Sequence, residues 1–280
     1  MDNALLEMKQ ITKAFPGVIA LNEVDFSLMP GEIHALLGKN GAGKSTLISI
    51  ISGVYMPDVG EISYENRYVD YHHLQLLPVA TVYQESTLFP NLSVADNIFG
   101  GDEPSGFLSL VKNEEKIRET KQLLELFQLD ISPVTPILQL SPAEQKVLEI
   151  LRAIRKKCQV LILDEPTAAL TLQETNRLFE LLRGVKKTNV GVIYISHRLE
   201  EIFQVADRVT VLRDGKLQGC RDIQEIDMHK LVVMMVGKQT ELEEVQERAT
   251  FGSNARGTPR LEVKSLTHYF HKFRDISFSI

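Results

Sequence analysis

Residues 38–46 place glycines, a lysine and two hydroxyl side chains at a spacing that suits phosphate binding. Gly38 is followed by four residues and then by Gly43, Lys44 and Ser45. Glycines let backbone N–H groups turn toward an anion, the lysine reaches the outer phosphates of a nucleotide, and the serine hydroxyl suits Mg²⁺. A chance glycine-rich turn is the alternative. The candidate ligand-binding residues are Gly38, Asn40, Gly41, Gly43, Lys44, Ser45 and Thr46.

Two adjacent carboxylates form a second chemical feature. Asp164 and Glu165 end the apolar run 160–163, and alternation along a strand sends neighbouring side chains in opposite directions. Asp164 therefore suits the shell of a Mg²⁺ ion, directly or through water, and Glu165 suits polarising an attacking water as a general base. Paired acids at a strand end also fit a solvated turn. Together with the upstream loop they predict a nucleotide hydrolase.

These residues need a sheet that brings strand ends together. Apolar runs predict buried strands, and the phosphate loop stands between one such strand and a helix whose first turns are Leu47–Ile51. Strands that alternate with helices predict a mainly parallel central sheet. Asp214 and Gly215 predict a hairpin turn before Lys216 and Leu217. The predicted strands are Ile33–Leu37, Val160–Glu165, Val190–Ile195 and Arg208–Arg213.

Other segments predict a small antiparallel sheet and a helical region. The first thirty residues and 60–69 alternate in the manner of antiparallel strands, whereas 91–153 is mostly helical with turns at Pro104 and 133–136. Leu172–Val185 has apolar residues on one helical face. A helix start is predicted by a serine N-cap, a proline at the first helical position and a glutamate three residues after the cap, at Ser141, Pro142 and Glu144.

The motifs Leu163–Thr167 and Ile195–Arg198 resemble those of ATP-binding-cassette ATPases, and the similarity runs over about 5–237. The resemblance implies an α/β P-loop NTPase fold with a RecA-like core, a small antiparallel β subdomain and a helical subdomain. It also implies ATP and Mg²⁺ as cofactors. We therefore expect an ABC-type ATPase.

Three further site residues follow from the resemblance. His197 takes the place of the family's switch histidine, which contacts the γ-phosphate and helps hold the water and Glu165. Gln84 matches the glutamine that touches Mg²⁺ or the attacking water, and Phe15 matches the aromatic that stacks on adenine. The alternatives are a structural histidine, an ordinary strand-to-loop glutamine and a core phenylalanine.

One family motif is altered in this chain. The usual Leu-Ser-Gly-Gly-Gln appears as Leu-Ser-Pro-Ala-Glu at 140–144. The resemblance assigns Ser141 to the ATP of an opposite cassette, and Ala143 adds a Cβ where backbone approaches the γ-phosphate. Residues 168–171 also lack the usual aspartate. We expect a weakened or altered signature, and a capping box alone is the alternative.

The chain repeats its own beginning near its end. We expect a cassette over 1–238 with a helical subdomain at about 91–153, a linker over 239–260, and the truncated start of a second cassette over 261–280. The repeated identities are Leu6, Glu7, Lys9, Thr12 and Phe15, which return as Leu261, Glu262, Lys264, Thr267 and Phe270.

Composition favours an ordinary soluble protein. The 280 residues are 44% hydrophobic with a net charge of −6, which argues against nonspecific nucleic-acid binding. No run approaches the ~20 apolar residues that span a bilayer, and no secretion signal opens the chain. Cys158 and Cys220 are isolated, which fits a reducing cytoplasm, and Cys158 is expected to be a small buried residue.

Three segments, 12–21, 31–47 and 147–153, are similar to those of the tandem ATPases of bacterial monosaccharide importers of the ribose, galactose and xylose type. This resemblance implies an ATPase at the cytoplasmic face of the plasma membrane. The expected partners are transmembrane permease subunits, a second ABC cassette and, indirectly, a periplasmic substrate-binding protein. The alternatives are an importer of a nucleoside or a furanosyl signal, and a soluble tandem protein that acts on ribosomes or DNA.

Overall fold

The computed structural model describes residues 4–83, 85–100, 113–127, 129–237, 262–266 and 275–279. The chain divides into two compact units, Met1–Val236 and Gly237–Ile280. In the first unit the strands are β1 (Leu6–Phe15), β2 (Val18–Leu28), β3 (Ile33–Leu37), β4 (Val59–Tyr64), β5 (Arg67–Tyr68), β6 (Val79–Val82), β7 (Val160–Asp164), β8 (Gly191–Ile195), β9 (Arg208–Arg213) and β10 (Lys216–Asp222). Its helices are α1 (Lys44–Ile51), α2 (Val94–Phe99), α3 (Asn113–Leu126), α4 (Pro142–Arg155), α5 (Leu172–Lys186), α6 (Leu199–Val205) and α7 (Met228–Val236).

The main sheet has the strand order β10-β9-β3-β8-β7-β6. Its strands pair in parallel except for β10, which is antiparallel to β9. Asp214 and Gly215 join these two strands with φ values of 51° and 72°, as a two-residue hairpin turn requires. The predicted parallel sheet and hairpin are confirmed. The carboxyl ends of β3, β7 and β8 consequently meet at one edge.

The side chains of the main sheet alternate between two hydrophobic cores. Leu161 and Leu163 of β7 join a core shared with α2, α4 and α5, whereas Val160 and Ile162 join a core shared with α1, β1 and β2. Because successive strand residues point to opposite faces, a strand covered on both faces has a continuous apolar sequence. This explains the apolar runs that end in the site residues.

A second sheet, with the order β2-β1-β4-β5, is antiparallel throughout. It contributes to the same core as α1. The helices α2, α3 and α4 lie between β6 and β7 in sequence, as expected for the helical region. Four predicted bounds shift: α1 begins at Lys44 rather than Leu47, β8 begins at Gly191 rather than Val190, β7 ends at Asp164 rather than Glu165, and α5 ends at Lys186 rather than Val185. Pro104 lies outside the described residues.

In the second unit, β11 (Glu262–Leu266) pairs antiparallel with β12 (Ile276–Ser279). The expected linker, 239–260, lies outside the described residues. Residues 261–270 align with 6–15, and 275–280 align with 23–28. Ser265 and Asp275 have φ values of 53°, and their aligned counterparts Gln10 and Glu23 have φ values of 50° and 52°. The local geometry of the first hairpin therefore recurs. The partners Glu262↔Ser279, Val263↔Phe278 and Leu266↔Ile276 repeat the register Glu7↔Ser27, Met8↔Phe26 and Ile11↔Val24.

Candidate functional site

The phosphate-binding loop connects β3 to α1 and makes a sharp turn at Gly43. This residue has a φ of 104° and is the N-cap of α1. A Cβ at Gly43 would lie 2.6 Å from the carbonyl oxygen of Ala20, so both the backbone conformation and the space favour glycine. The helix starts at the next residue, Lys44. Its first backbone N–H groups, which have no partner within the helix, therefore belong to the loop motif.

The side chain of Lys44 folds over its own loop. Its Nζ donates hydrogen bonds to the carbonyl oxygens of Gly38 at 2.6 Å and Lys39 at 3.2 Å. Burial lowers the pKa of the Lys44 ammonium, although the charges of Asp164 and Glu165 act in the opposite direction. The predicted lysine therefore lies near enough to the predicted carboxylates for their charges to act on it. The other loop candidates follow in the same segment, where Asn40, Gly41 and Ser45 are exposed and Thr46 is half-buried.

The two predicted carboxylates stand at the end of β7. Burial raises the pKa of the Asp164 carboxyl, the nearby charge of Glu165 raises it further, and Lys44 offsets only part of this. Negative charge is therefore crowded at this edge, and a bound cation would relieve the crowding. The oxygen donors of Ser45 and Asp164 are of the type that Mg²⁺ prefers. Within the described ranges, no group of three or more His, Cys, Asp or Glu side chains could hold a metal.

Glu165 and His197 come into contact beyond the ends of β7 and β8. Glu165 Oε1 lies 3.2 Å from His197 Nδ1, and the two side chains are 32% and 67% exposed. Glu165 has a φ of 47°, and its backbone N–H donates to the carbonyl oxygen of Ile195 at 3.0 Å. The turn after β7 is thereby tied to the last residue of β8. A solvent-accessible carboxylate beside an imidazole can accept a proton from water.

Residue 84 lies outside the described residues, but the segments on both sides of it contact α4. Lys146 Nζ donates to the carbonyl oxygen of Tyr83 at 2.6 Å, and Glu149 Oε1 accepts from the backbone N–H of Thr87 at 2.6 Å. Lys146 and Glu149 also form a buried ion pair at 3.0 Å. This pair was not predicted from the sequence. The signal was two opposite charges three residues apart within an apolar helical face.

Ser141 is the N-cap of α4, as predicted. Its backbone N–H donates to Glu144 Oε2 at 2.8 Å, and its Oγ accepts from the backbone N–H of Glu144 at 3.3 Å. This reciprocal capping box, with Pro142 in the first turn, starts the helix despite the absent glycines. Ala143 is half-buried there. The predicted helix start is therefore confirmed, and the role of Ser141 toward an ATP stays a prediction.

Phe15 lies at the end of β1 and belongs to neither hydrophobic core. It is half-buried, its ring packs edge-on against Tyr55 with centroids 5.4 Å apart, and Lys13 Nζ lies 5.7 Å from its centroid. Phe15 is therefore not a core residue, and its stacking on adenine stays a prediction. Tyr55 was not predicted from the sequence, because nothing in its neighbouring residues indicates that it contacts Phe15.

The chain is similar to ATP-binding proteins of bacterial sugar importers. It is 45% identical over 265 residues to the ribose import ATP-binding protein RbsA 1 of Rubrobacter xylanophilus, covering 94% of this chain and 52% of that protein. It is 44% identical over 245 residues to the galactofuranose transporter ATP-binding protein YtfR of Escherichia coli O157:H7, covering 86% and 49%. The chain spans about half the length of the curated relatives it matches. Among the described helices, none has the length and apolar character needed to cross a bilayer.

The fold matches solved cassettes, and a family model matches the sequence. A nucleotide-free ATP-binding cassette from an ABC transporter aligns with a TM-score of 0.72 at 24% identity, covering 84% of this chain and 100% of that one. At this identity the likeness concerns the fold alone, and it agrees with the predicted P-loop architecture. The model described as ABC transporter matches residues 21–168, more than half of the chain. This chain therefore belongs to the ABC transporter family.

Proposed function

We propose that this chain binds and hydrolyses ATP to power a bacterial importer of a monosaccharide of the ribose or galactose type. The observation that supports hydrolysis is the 3.2 Å distance between His197 Nδ1 and Glu165 Oε1. This contact lies at the same edge of the main sheet as the phosphate-binding loop. The printed names of the ribose and galactofuranose relatives support a sugar as the transported substrate.

Different residues of the site have different roles in ATP binding and hydrolysis. The loop from Gly38 to Thr46 binds the phosphates through backbone N–H groups and Lys44, and Phe15 stacks on the adenine. Glu165 accepts the proton of the attacking water, while His197 orients Glu165 and contacts the γ-phosphate. When bound through Ser45, Gln84 and Asp164, Mg²⁺ supplies positive charge that stabilises the transferred phosphoryl group.

A complete site needs two cassettes in this proposal. Ser141 and the start of α4 bind the ATP held by an opposite cassette, which belongs to the same full-length protein or to another copy. We propose that 1–238 is one cassette, 239–260 a linker and 261–280 the start of a second cassette. The register that β11 and β12 share with β1 and β2 supports this division.

The proposed partners follow from the importer assignment. ATP closes the cassette pair and hydrolysis reopens it, and the segment around Gln84 transmits this motion to transmembrane permease subunits at the cytoplasmic face of the membrane. A periplasmic binding protein delivers the sugar to the permease. The net charge of −6 disfavours the alternative of a soluble protein acting on ribosomes or DNA.

The first experiment measures Mg·ATP binding and steady-state ATPase activity of the purified chain. Glu165→Gln and Lys44→Ala are compared with Glu180→Gln, a control at an exposed position on α5. We expect binding by the parent, Glu165→Gln and Glu180→Gln, weakened binding by Lys44→Ala, and little turnover without a completing cassette. Robust turnover that Glu165→Gln abolishes would instead mean that two copies pair. A parent chain that fails to bind Mg·ATP contradicts the proposal.

A second experiment addresses the transported substrate. The chain is tagged in the cell that encodes it, co-purified with its permease and reconstituted into proteoliposomes. ATP-dependent accumulation of ribose or galactose supports the proposal. Accumulation of a nucleoside, or co-purification with ribosomes and no membrane protein, supports one of the alternatives instead.

A further inference from the structure

One buried carboxylate of α6 joins the two segments that carry Glu165 and His197. Glu201 is only 6% exposed. Its Oε2 accepts hydrogen bonds from Thr167 Oγ1 at 2.7 Å and from Ser196 Oγ at 3.0 Å. Thr167 follows Glu165 by two positions, and Ser196 immediately precedes His197. A single oxygen atom therefore links both turns.

Further donors complete the environment of Glu201. Tyr194 of β8 donates its hydroxyl to Oε2 at 2.9 Å, and Arg198 donates a guanidinium N–H to Oε1 at 3.2 Å. Burial, followed by the charge of Glu201, raises the pKa of Tyr194, so its hydroxyl stays a donor. The backbone N–H of Arg198 also donates to Ser196 Oγ at 3.0 Å, which closes the turn around His197.

We propose that Glu201 is a positioning residue whose carboxylate holds the Thr167 and Ser196 segments together and thereby sets the approach of His197 to Glu165. Hydrogen bonds to a charged acceptor are stronger than those to a neutral one. An amide can place its one oxygen where Oε2 lies, but it has no negative charge. The bonds from Thr167 and Ser196 then lose their charge assistance, and the NH₂ group cannot accept from Arg198. The consequence for ATP hydrolysis rests on the proposed function, whereas the consequence for the two turns does not.

The test compares Glu201→Gln with Glu200→Gln. Glu200 is the exposed neighbour on the same helix, so the control removes the same charge without touching the buried contacts. Hydrogen exchange measured by mass spectrometry reports on peptides that contain 164–168 and 195–198. We expect Glu201→Gln to speed exchange in both segments by about tenfold, with little change elsewhere, and Glu200→Gln to match the parent. Unchanged exchange in either segment, or a uniform increase over the chain, would overturn the proposal.

Two further variants keep the test informative if Glu201→Gln unfolds the whole chain. Thr167→Val removes one donor, and we expect it to loosen mainly 164–168; Ser196→Ala removes another, and we expect it to loosen mainly 195–198. Where the parent turns over ATP, Glu201→Gln lowers kcat about tenfold or more while the Mg·ATP affinity stays within about twofold. An affinity loss with unchanged kcat contradicts positioning. A parent that binds no Mg·ATP contradicts the ATPase assignment and leaves the exchange result to decide the role of Glu201.

Discussion

His197 Nδ1 lies 3.2 Å from Glu165 Oε1, although the two residues follow different strands of the main sheet. The strands β7 and β8 are adjacent and parallel, and Asp164 is the register partner of Ile195. Because the carboxyl ends of neighbouring parallel strands lie at the same edge of the sheet, the residues that follow them lie side by side. The contact is thus a consequence of strand pairing. It joins Glu165, the proposed proton acceptor, to His197, which is proposed to orient it.

Loss of the imidazole should slow hydrolysis without preventing nucleotide binding. We expect His197→Ala to lower ATP turnover by about 10²-fold or more, because Glu165 loses its orienting partner. His73→Ala is a matched control, since His73 is an exposed histidine remote in sequence from the site segments. Steady-state ATPase rates and Mg·ATP affinity, measured for both variants in a sample that turns over, decide the point. Equal losses in the two variants would contradict a specific role.

The turn at Gly43 should tolerate a methyl group less well than the turn at Gly17. Gly17 also has a positive φ, of 84°, but a Cβ there meets nothing within 4 Å. We expect Gly17→Ala to lower the free energy of unfolding by about 1–2 kcal/mol through backbone strain alone. Gly43→Ala adds a steric clash of about 1–3 kcal/mol and weakens Mg·ATP binding. Urea unfolding of both variants measures the difference, and equal costs would contradict the assigned contact with Ala20.

Asp164 should favour ligand binding at the expense of stability. Its pKa in the fold is raised, so its contribution to stability is full below the unfolded pKa and is lost as the pH rises through the folded pKa. We therefore expect Asp164→Asn to raise the free energy of unfolding at pH 7 without ligand, and to weaken Mg·ATP binding. Asp130→Asn, at an exposed position, is the control. The gain should vanish near pH 3, below the usual Asp pKa of ~3.9; a gain at both pH values points to another cause.

The ion pair of Lys146 and Glu149 should matter far more than an exposed pair. Its side chains are 9% and 1% exposed, whereas those of Lys121 and Glu125 on α3 are 68% and 64% exposed. Breaking a buried pair leaves an uncompensated charge, so Glu149→Ala should cost about 3–5 kcal/mol. Glu125→Ala should cost less than about 0.5 kcal/mol. Chemical denaturation compares the two variants, and similar costs would contradict the structural role of Glu149.

The two cysteines should differ in their reaction with iodoacetamide. Burial raises the pKa of Cys158 to about 11. Burial also acts to raise the pKa of Cys220, but contacts with His34 and Thr210 and the charges of His34 and Arg208 outweigh it and lower the pKa to about 7.

Because the thiolate is the nucleophile, alkylation of Cys220 should accelerate as the pH rises through about 7, while Cys158 stays unmodified in the folded chain. Peptide mass spectrometry across this range measures both rates. Arg208→Gln removes the guanidinium that lies 3.1 Å from the Cys220 sulfur, and it should move the midpoint upward. A parent midpoint near the ordinary value of ~8.5 would contradict the prediction.

Local patterns of the sequence predicted the parts of the site that depend on near neighbours. The turn at Gly43, the helix that follows it and the capping box of Ser141 and Glu144 are each set by a few consecutive residues. The apolar run that ends in Asp164 likewise predicted a buried strand with chemistry at its carboxyl end. Backbone sterics and unsatisfied helix-end N–H groups act at short range, so the sequence alone determined these features.

Only the tertiary structure decided which distant segments meet. The edge-on contact of Tyr55 with Phe15, the anchoring of Thr87 by Glu149 and the joining of two turns by Glu201 follow from strand pairing and helix packing. In the amino-acid sequence, the buried Glu201 cannot be told apart from its exposed neighbour Glu200. The difference arises because burial of a charge requires several donors to converge on it, and those donors come from separate elements of the fold.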